Sequence, residues 1–293
     1  MAITDEIKLS YLHGTYLTKL IYINIAVWIV VRLTTVILVL GGNEHPTFLD
    51  WVSLPASFNQ FLTRPWTLFT YMSLHFDLWH LLINLLWLYS FGRIFLEYHT
   101  SRKLLCLYLF GGLAGGLFFM LAYNLFPYFQ KNIEFAQLLG ASASVISIVI
   151  ATAVYVPNHL IHIILIGPVK IKWIALVSII LYLVNLTGDN AGGNFAHLGG
   201  ACWGFLYMTL LKSGVDLSSR SEKFIDQIFN WSKPKRRLKV EYNSGTFREY
   251  GYNKSKKEKQ EEVNRILDKI STTGYDALTA AEKETLFRMS GKR

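Results

Sequence analysis

Charge is what this chain most conspicuously lacks. Between residues 104 and 211 only Lys131, Glu134, Lys170, Lys172 and Asp189 carry any. Across all 293 residues, 17% are charged and 52% hydrophobic, with a mean hydropathy of +0.30. A soluble domain is about one quarter charged. The deficit excludes an ordinary water-soluble core and points to a polytopic membrane domain. Cysteine is nearly absent too, with only Cys106 and Cys202, both inside apolar runs. A secreted disulfide scaffold is thereby excluded, and both read as small core hydrophobes. His-Glu-x-x-His is missing, and His75 and His80 are spaced so that they share a helix face poorly. No metal or other cofactor is expected. No cleavable signal peptide is evident either, because Asp5 and Glu6 spoil a basic start and the first apolar run begins too late.

The charge that is present gathers at the end. Residues 213–293 hold 18 of the 29 Lys/Arg and 12 of the 20 Asp/Glu. Ahead of them lie apolar runs at 20–40, 78–96, 104–125, 139–156, 171–186 and 191–211. A hydrocarbon core of roughly 30 Å takes about 20 residues of helix, so these runs predict six transmembrane helices. Pro157-Asn158-His159 and Gly167-Pro168 break the chain after the fourth. Basic residues flank one set of helix ends: Lys8 and Lys19, then Arg93, Arg102 and Lys103, then Lys170 and Lys172, then Lys212 and the cluster 233–239. The opposite loops offer only Arg64 and Lys131. Both termini are therefore expected in the cytoplasm, with the chain in the plasma (inner) membrane. Arg32, inside the first run, must face protein, find a partner or snorkel.

The expected organisation is a cytoplasmic segment (1–19), a six-helix membrane domain (20–212), a basic juxtamembrane linker (213–257) and a C-terminal helical hairpin (258–293). The cluster 233–239 suits anionic lipid headgroups as well as it suits a topology-fixing charge run. In the hairpin, Val263, Ile266, Leu267 and Ile270 recur at helical spacing, and Thr279-Ala280-Ala281-Glu282 reads as a capping box. It carries no catalytic group, so a cytoplasmic docking partner is the expectation there.

Polar groups inside the spans are functional candidates, because lipid offers them no compensation. His80 and Asn84 lie one helical turn apart near the start of span two. Span four opens with Gly140-Ala141-Ser142-Ala143, and span six carries His197 about 10 Å from its start at 1.5 Å per residue. With the N-terminus inside, all three sites fall at one depth in the outer half of the membrane. A serine hydroxyl needs a base, and His197 could serve Ser142. No carboxylate accompanies His197, so a dyad is expected and not a triad. Asn84, His80 and the Ser142 backbone N–H could stabilise an oxyanion. Gly192, Ala196, Gly200 and Gly204 form a small-residue ridge that would let span six press on span four. Gly111, Gly112, Gly115 and Gly116 form a second, read as packing.

The three motifs together resemble those of the rhomboid intramembrane serine proteases. His80-Leu81-Leu82-Ile83-Asn84 is similar to that family's second-span signature, and Gly140-Ala141-Ser142-Ala143 to its fourth-span motif. Gly192, Ala196, His197, Gly200 and Gly204 match its sixth-span spacing. The resemblance covers residues 60–211. It implies Ser142 as nucleophile, His197 as base, and His80 with Asn84 at the oxyanion. It also implies a water-filled site open to the outside, and transmembrane proteins as substrates within a lipid membrane. Many members have glycine where Ala143 stands. The loop before span two reads Pro65-Trp66-Thr67, where a family arginine often follows the tryptophan. Glu97 resembles a family residue read here as pinning a loop. The rival readings are a catalytically inactive relative that binds transmembrane clients, and a small transporter. Nucleic acid is not an expected partner.

Overall fold

The computed structural model describes residues 3–42, 47–163, 166–218 and 245–290. The chain divides into two compact units, residues 1–232 and 233–293. The first contains α1 (Ile3–His13), α2 (Tyr16–Leu40), α3 (Phe58–Thr63), α4 (Thr67–Thr70), α5 (Leu78–Tyr98), α6 (Ser101–Leu125), α7 (Pro127–Gln130), α8 (Ser142–Tyr155), α9 (Ile171–Val184) and α10 (Ala191–Lys212). Two small antiparallel pairs accompany them. In one, β1 (Leu54–Pro55) meets β2 (Gln137–Leu138), with Leu54 opposite Leu138. In the other, β3 (Leu160–Ile163) meets β4 (Gly167–Lys170). The sequence foresees only a chain break between residues 157 and 168. The β-branched Ile161 and Ile163, half-buried between exposed Leu160 and His162, instead let this segment pair with Gly167–Lys170.

The first unit is an all-α polytopic membrane domain. Its outer helices expose what a soluble protein would bury. On α2 these include Val30, Leu33, Ile37 and Leu40, and on α9 Trp173, Val177, Leu181 and Val184. α2, α5 and α6 are long and apolar enough to cross a membrane. α8 and α9 are apolar but only 14 residues each. At 1.5 Å per residue, each reaches about 21 Å. Residues 139–141, foreseen within the fourth apolar run, are not helical, and Gly140 there has φ +125°.

α6, α8 and α10 form the centre, and glycine lets them touch backbone to backbone. A Cβ on Gly200 would lie 2.8 Å from the Ala143 carbonyl carbon, and one on Gly204 2.9 Å from that of Ser147. Those two residues seat α10 on α8 as the ridge foresees. Gly192 does not, since its Cβ would meet the Phe119 ring of α6 at 2.8 Å. The ridge turns with the helix, so its first member faces a different neighbour. Gly111 and Gly115 of α6 lie against Ser147 and Ala143 of α8. α2 joins this centre through its first turns only, where Leu17, Leu20 and Asn24 are buried. The Asn24 amide donates to the Tyr108 hydroxyl at 3.1 Å, which donates to the Met72 carbonyl at 3.0 Å.

The second unit holds α11 (Gly245–Thr273) and α12 (Ala280–Ser290). Residues 245–257, expected as part of a linker, are helical. Arg248, Glu249, Lys254, Lys256 and Lys257 are good helix formers, and the interior Gly251 costs only about 1 kcal/mol. The hairpin closes on Ile266 and Leu278. The capping box forms, with Glu282 accepting from the Thr279 N–H at 2.8 Å and from the Lys269 ammonium at 2.9 Å. The basic cluster 233–239 lies outside the described residues.

Candidate functional site

The segment before α8 is held from both sides. The Ala56 N–H donates to the Ala136 carbonyl and the Gly140 N–H to the Tyr71 carbonyl, each at 3.0 Å. Tyr71, itself buried, anchors through its hydroxyl to the Gly112 carbonyl at 2.6 Å. Gly140 is required twice over. Its positive φ is strained for any other residue, and a Cβ there would press within 2.9 Å of the His80 ring. The turn delivers Ser142 as the first residue of α8, where backbone N–H groups have no partner within the helix.

α5 begins beside this turn. Asp77 caps it, accepting from the His80 N–H at 2.7 Å, and the Asn84 amide donates to the His80 carbonyl at 2.9 Å. That bond uses one of the two amide hydrogens and leaves the other free to serve a ligand. Just ahead of the helix, buried His75 packs edge-on against His80, ring centroids 5.1 Å apart. Its Nε2 accepts from the Ala141 N–H at 3.4 Å. Burial first, and the neighbouring His80 second, push the His75 pKa down to about 4, so the ring is neutral.

α10 supplies the base. His197 Nε2 lies 2.7 Å from Ser142 Oγ, and the ring is covered by Tyr182 of α9 at a centroid distance of 4.4 Å. Its Nδ1 is buried and has no hydrogen-bond partner among the described residues. A serine so placed can donate its proton to Nε2, and among the described residues no carboxylate bonds the far side of the ring. The start of α10 is fixed by the Asn194 amide, which donates to the Asn185 carbonyl at 2.7 Å.

Ser142, His197, His80 and Asn84 all line one cavity of about 610 Å³, together with Tyr182, Phe119, Gln137 and Asn190. The sequence brings out the first four residues. Tyr182 escaped it, because one aromatic ring in an apolar helix gives no sign of stacking on a histidine in the next. His75 sits directly behind the turn. Of the remaining candidates, Ala196 is buried with its carbonyl towards Gly115. Trp66 lies away from the cavity, stacking on Trp51 at 6.2 Å and donating to the Trp51 carbonyl at 2.8 Å. The neighbouring Arg64 reaches the Asp50 carbonyl and, at 2.9 Å, Gln60. Glu97 does not pin a loop. It is exposed and makes no hydrogen bond or ion pair among the described residues, because Phe91, Ile94 and Phe95 take the inward face of its helix. The turn after it is fixed instead by Thr100, which caps α6, and by His99 packed on Tyr155 at 4.4 Å. Among the described residues, no group of three His, Cys, Asp or Glu is arranged to hold a metal ion.

Residues 62–214, more than half of the chain, match the Rhomboid domain, a family of the intramembrane-protease type. Residues 249–292 match a family of unknown function (DUF6576). No curated protein matches the chain. With a match of this extent, the chain belongs to the rhomboid family.

Proposed function

We propose that this protein is a serine endopeptidase that cleaves peptide bonds in or beside transmembrane segments of other membrane proteins. The observation that carries the reading is the 2.7 Å contact between Ser142 Oγ and His197 Nε2 on the wall of a cavity of about 610 Å³. The reaction runs in two halves. His197 Nε2 takes the hydroxyl proton as Ser142 Oγ attacks the scissile carbonyl carbon. The carbonyl oxygen becomes an oxyanion, and the Ser142 backbone N–H, His80 and Asn84 are its donors. Collapse expels the amine, which receives the proton from His197 and leaves an acyl-serine. Water then attacks the ester, again with His197 as base, and releases the acid. The Tyr182 ring confines the imidazole in the absence of a carboxylate partner.

The same reading takes α2, α5, α6, α8, α9 and α10 as six crossings, both termini in the cytoplasm of a cell with an inner membrane, and the site open to the opposite face. α8 supports this arrangement. At about 21 Å it is shorter than the roughly 30 Å hydrocarbon core, so its first residue begins below the outer surface, and the cavity leads water down to it. The membrane part is taken as 20–212, and the C-terminal hairpin as a cytoplasmic docking module.

The test is chemical. A fluorophosphonate probe should label the full-length protein, and Ser142→Ala should abolish both labelling and cleavage of a transmembrane reporter at unchanged membrane expression. His197→Ala should lower both by about 100- to 10,000-fold, the usual weight of a positioned base. Cleavage retained by Ser142→Ala would remove the assignment.

A further inference from the structure

On the other side of the serine-bearing turn lies a second cavity, of about 330 Å³, whose polar lining is Arg32, Thr35, Ser53 and His75. The rest of its wall is aliphatic and aromatic, and Leu139 is shared with the first cavity. Arg32 sits eight residues from the end of α2, about 12 Å along the axis. It makes no hydrogen bond or ion pair among the described residues, although it stands on a helix whose outer face is apolar. Arg32 is exposed, and a guanidinium on an apolar helix either snorkels to water or takes an anion; the donors gathered beside it favour the anion.

The other polar groups point the same way. Because His75 Nε2 accepts from Ala141, the neutral ring carries its proton on Nδ1, which is buried and has no hydrogen-bond partner among the described residues. The Ser73 carbonyl is near enough to polarise the ring without completing that bond. The Thr35 hydroxyl donates to the Val31 carbonyl at 2.8 Å and that of Ser53 to the Leu49 carbonyl at 2.7 Å. What remains is an excess of N–H donors, and among the described residues no carboxylate lines the cavity. The fitting ligand accepts hydrogen bonds, is anionic, and carries apolar matter for the walls. It has no ammonium group, which would face Arg32 with no carboxylate to meet it.

We propose that this cavity binds the phosphate of an anionic phospholipid, with Arg32 and the His75 Nδ1–H as its donors. Bound lipid also acts on the turn. An acceptor at Nδ1 fixes the His75 tautomer whose Nε2 receives the Ala141 N–H, one residue before Ser142. His75 is thus a positioning residue through which lipid steadies the serine. This last step rests on the protease reading, whereas the binding does not.

Native mass spectrometry of delipidated full-length protein tests the binding, using phosphatidylglycerol, phosphatidylcholine with the same chains, and inorganic phosphate. One phosphatidylglycerol should be retained in preference to phosphatidylcholine. Arg32→Gln should weaken it about 10- to 100-fold, the weight of a hydrogen bond to a charged group, and Arg32→Lys less. Equal retention by Arg32→Gln would overturn the proposal, as would displacement of the lipid by millimolar phosphate, which would identify a free-anion site. In nanodiscs, phosphatidylglycerol should speed fluorophosphonate labelling of the wild type and leave Arg32→Gln unchanged. Labelling that responds equally in both would refute the coupling. Absence of labelling in every lipid would count against the protease reading and leave the binding result standing.

Discussion

Gly200→Ala offers the sharpest test of how backbone contact sets the reacting distance. The added Cβ would lie 2.8 Å from the Ala143 carbonyl carbon, with the carbonyl oxygen nearer still, whereas ordinary contact begins at 3.4 Å. The carbon alone requires 3.4 − 2.8 = 0.6 Å of retreat, and the oxygen requires more. Both obstructing atoms are backbone, so no side chain can swing aside, and α8 must move from α10. Ser142 precedes Ala143 directly, and His197 lies one turn before Gly200. A separation of 0.6 Å along their contact would stretch the 2.7 Å bond to 3.3 Å, beyond the usual hydroxyl range. Overpacking of this kind costs about 1–3 kcal/mol. Losing the positioned base costs about 100- to 10,000-fold in rate. The variant should therefore lose fluorophosphonate labelling far out of proportion to its drop in melting temperature. Gly188→Ala, whose Cβ would meet nothing closer than 3.5 Å, is the control. Wild-type labelling and melting in Gly200→Ala would refute the reasoning.

Three further outcomes follow from the same geometry. Asn84→Ala should lower turnover about 10- to 1000-fold if its amide meets the oxyanion, and unchanged kcat would return it to a tie within α5. Gly140→Ala should cost about 1–3 kcal/mol of backbone strain and displace the His80 ring, so both melting temperature and labelling rate should fall. In the C-terminal hairpin, the Thr279 N–H first and the Lys269 ammonium next pull the Glu282 carboxyl from 4.5 down to about 2. A depressed carboxylate stabilises the fold above its ordinary pKa and loses that contribution as pH falls towards the folded value. Protection of the α12 amides against exchange in the full chain, taken relative to their intrinsic rates at each pH, should fall between about pH 5 and pH 2, and Glu282→Gln should flatten that dependence.

Much of the site was legible because its chemistry is written in local spacing. His80 and Asn84 needed only the four-residue helical repeat, and Gly200 and Gly204 only the rule that small residues let helices meet. What escaped depends on tertiary registration. Tyr182 reaches His197 through the turn between α9 and α10, and nothing within α9 announces which ring it covers. The ridge reading failed at Gly192 because four-residue spacing drifts around the helix, carrying one end towards α6. The pinning role of Glu97 rests on its likeness to a family residue, yet its helix turns that face outward. The helix from Gly245 was hidden by its two glycines, whose penalty the surrounding lysines and glutamates outweigh.

The short ninth helix has a consequence for the bilayer itself. α9 presents Leu176, Val177, Ile180, Leu181 and Val184 outward, yet its 14 residues span only about 21 Å. On the six-crossing reading, lipid beside it faces a hydrophobic height several ångströms below the roughly 30 Å of its own core, and the leaflets would pinch or tilt there. Tyr182, the ring that covers His197, belongs to this helix. On that reading, thickness becomes a variable acting next to His197. Longer acyl chains would load α9 from both ends, and its reply would be felt at the imidazole before any substrate arrived.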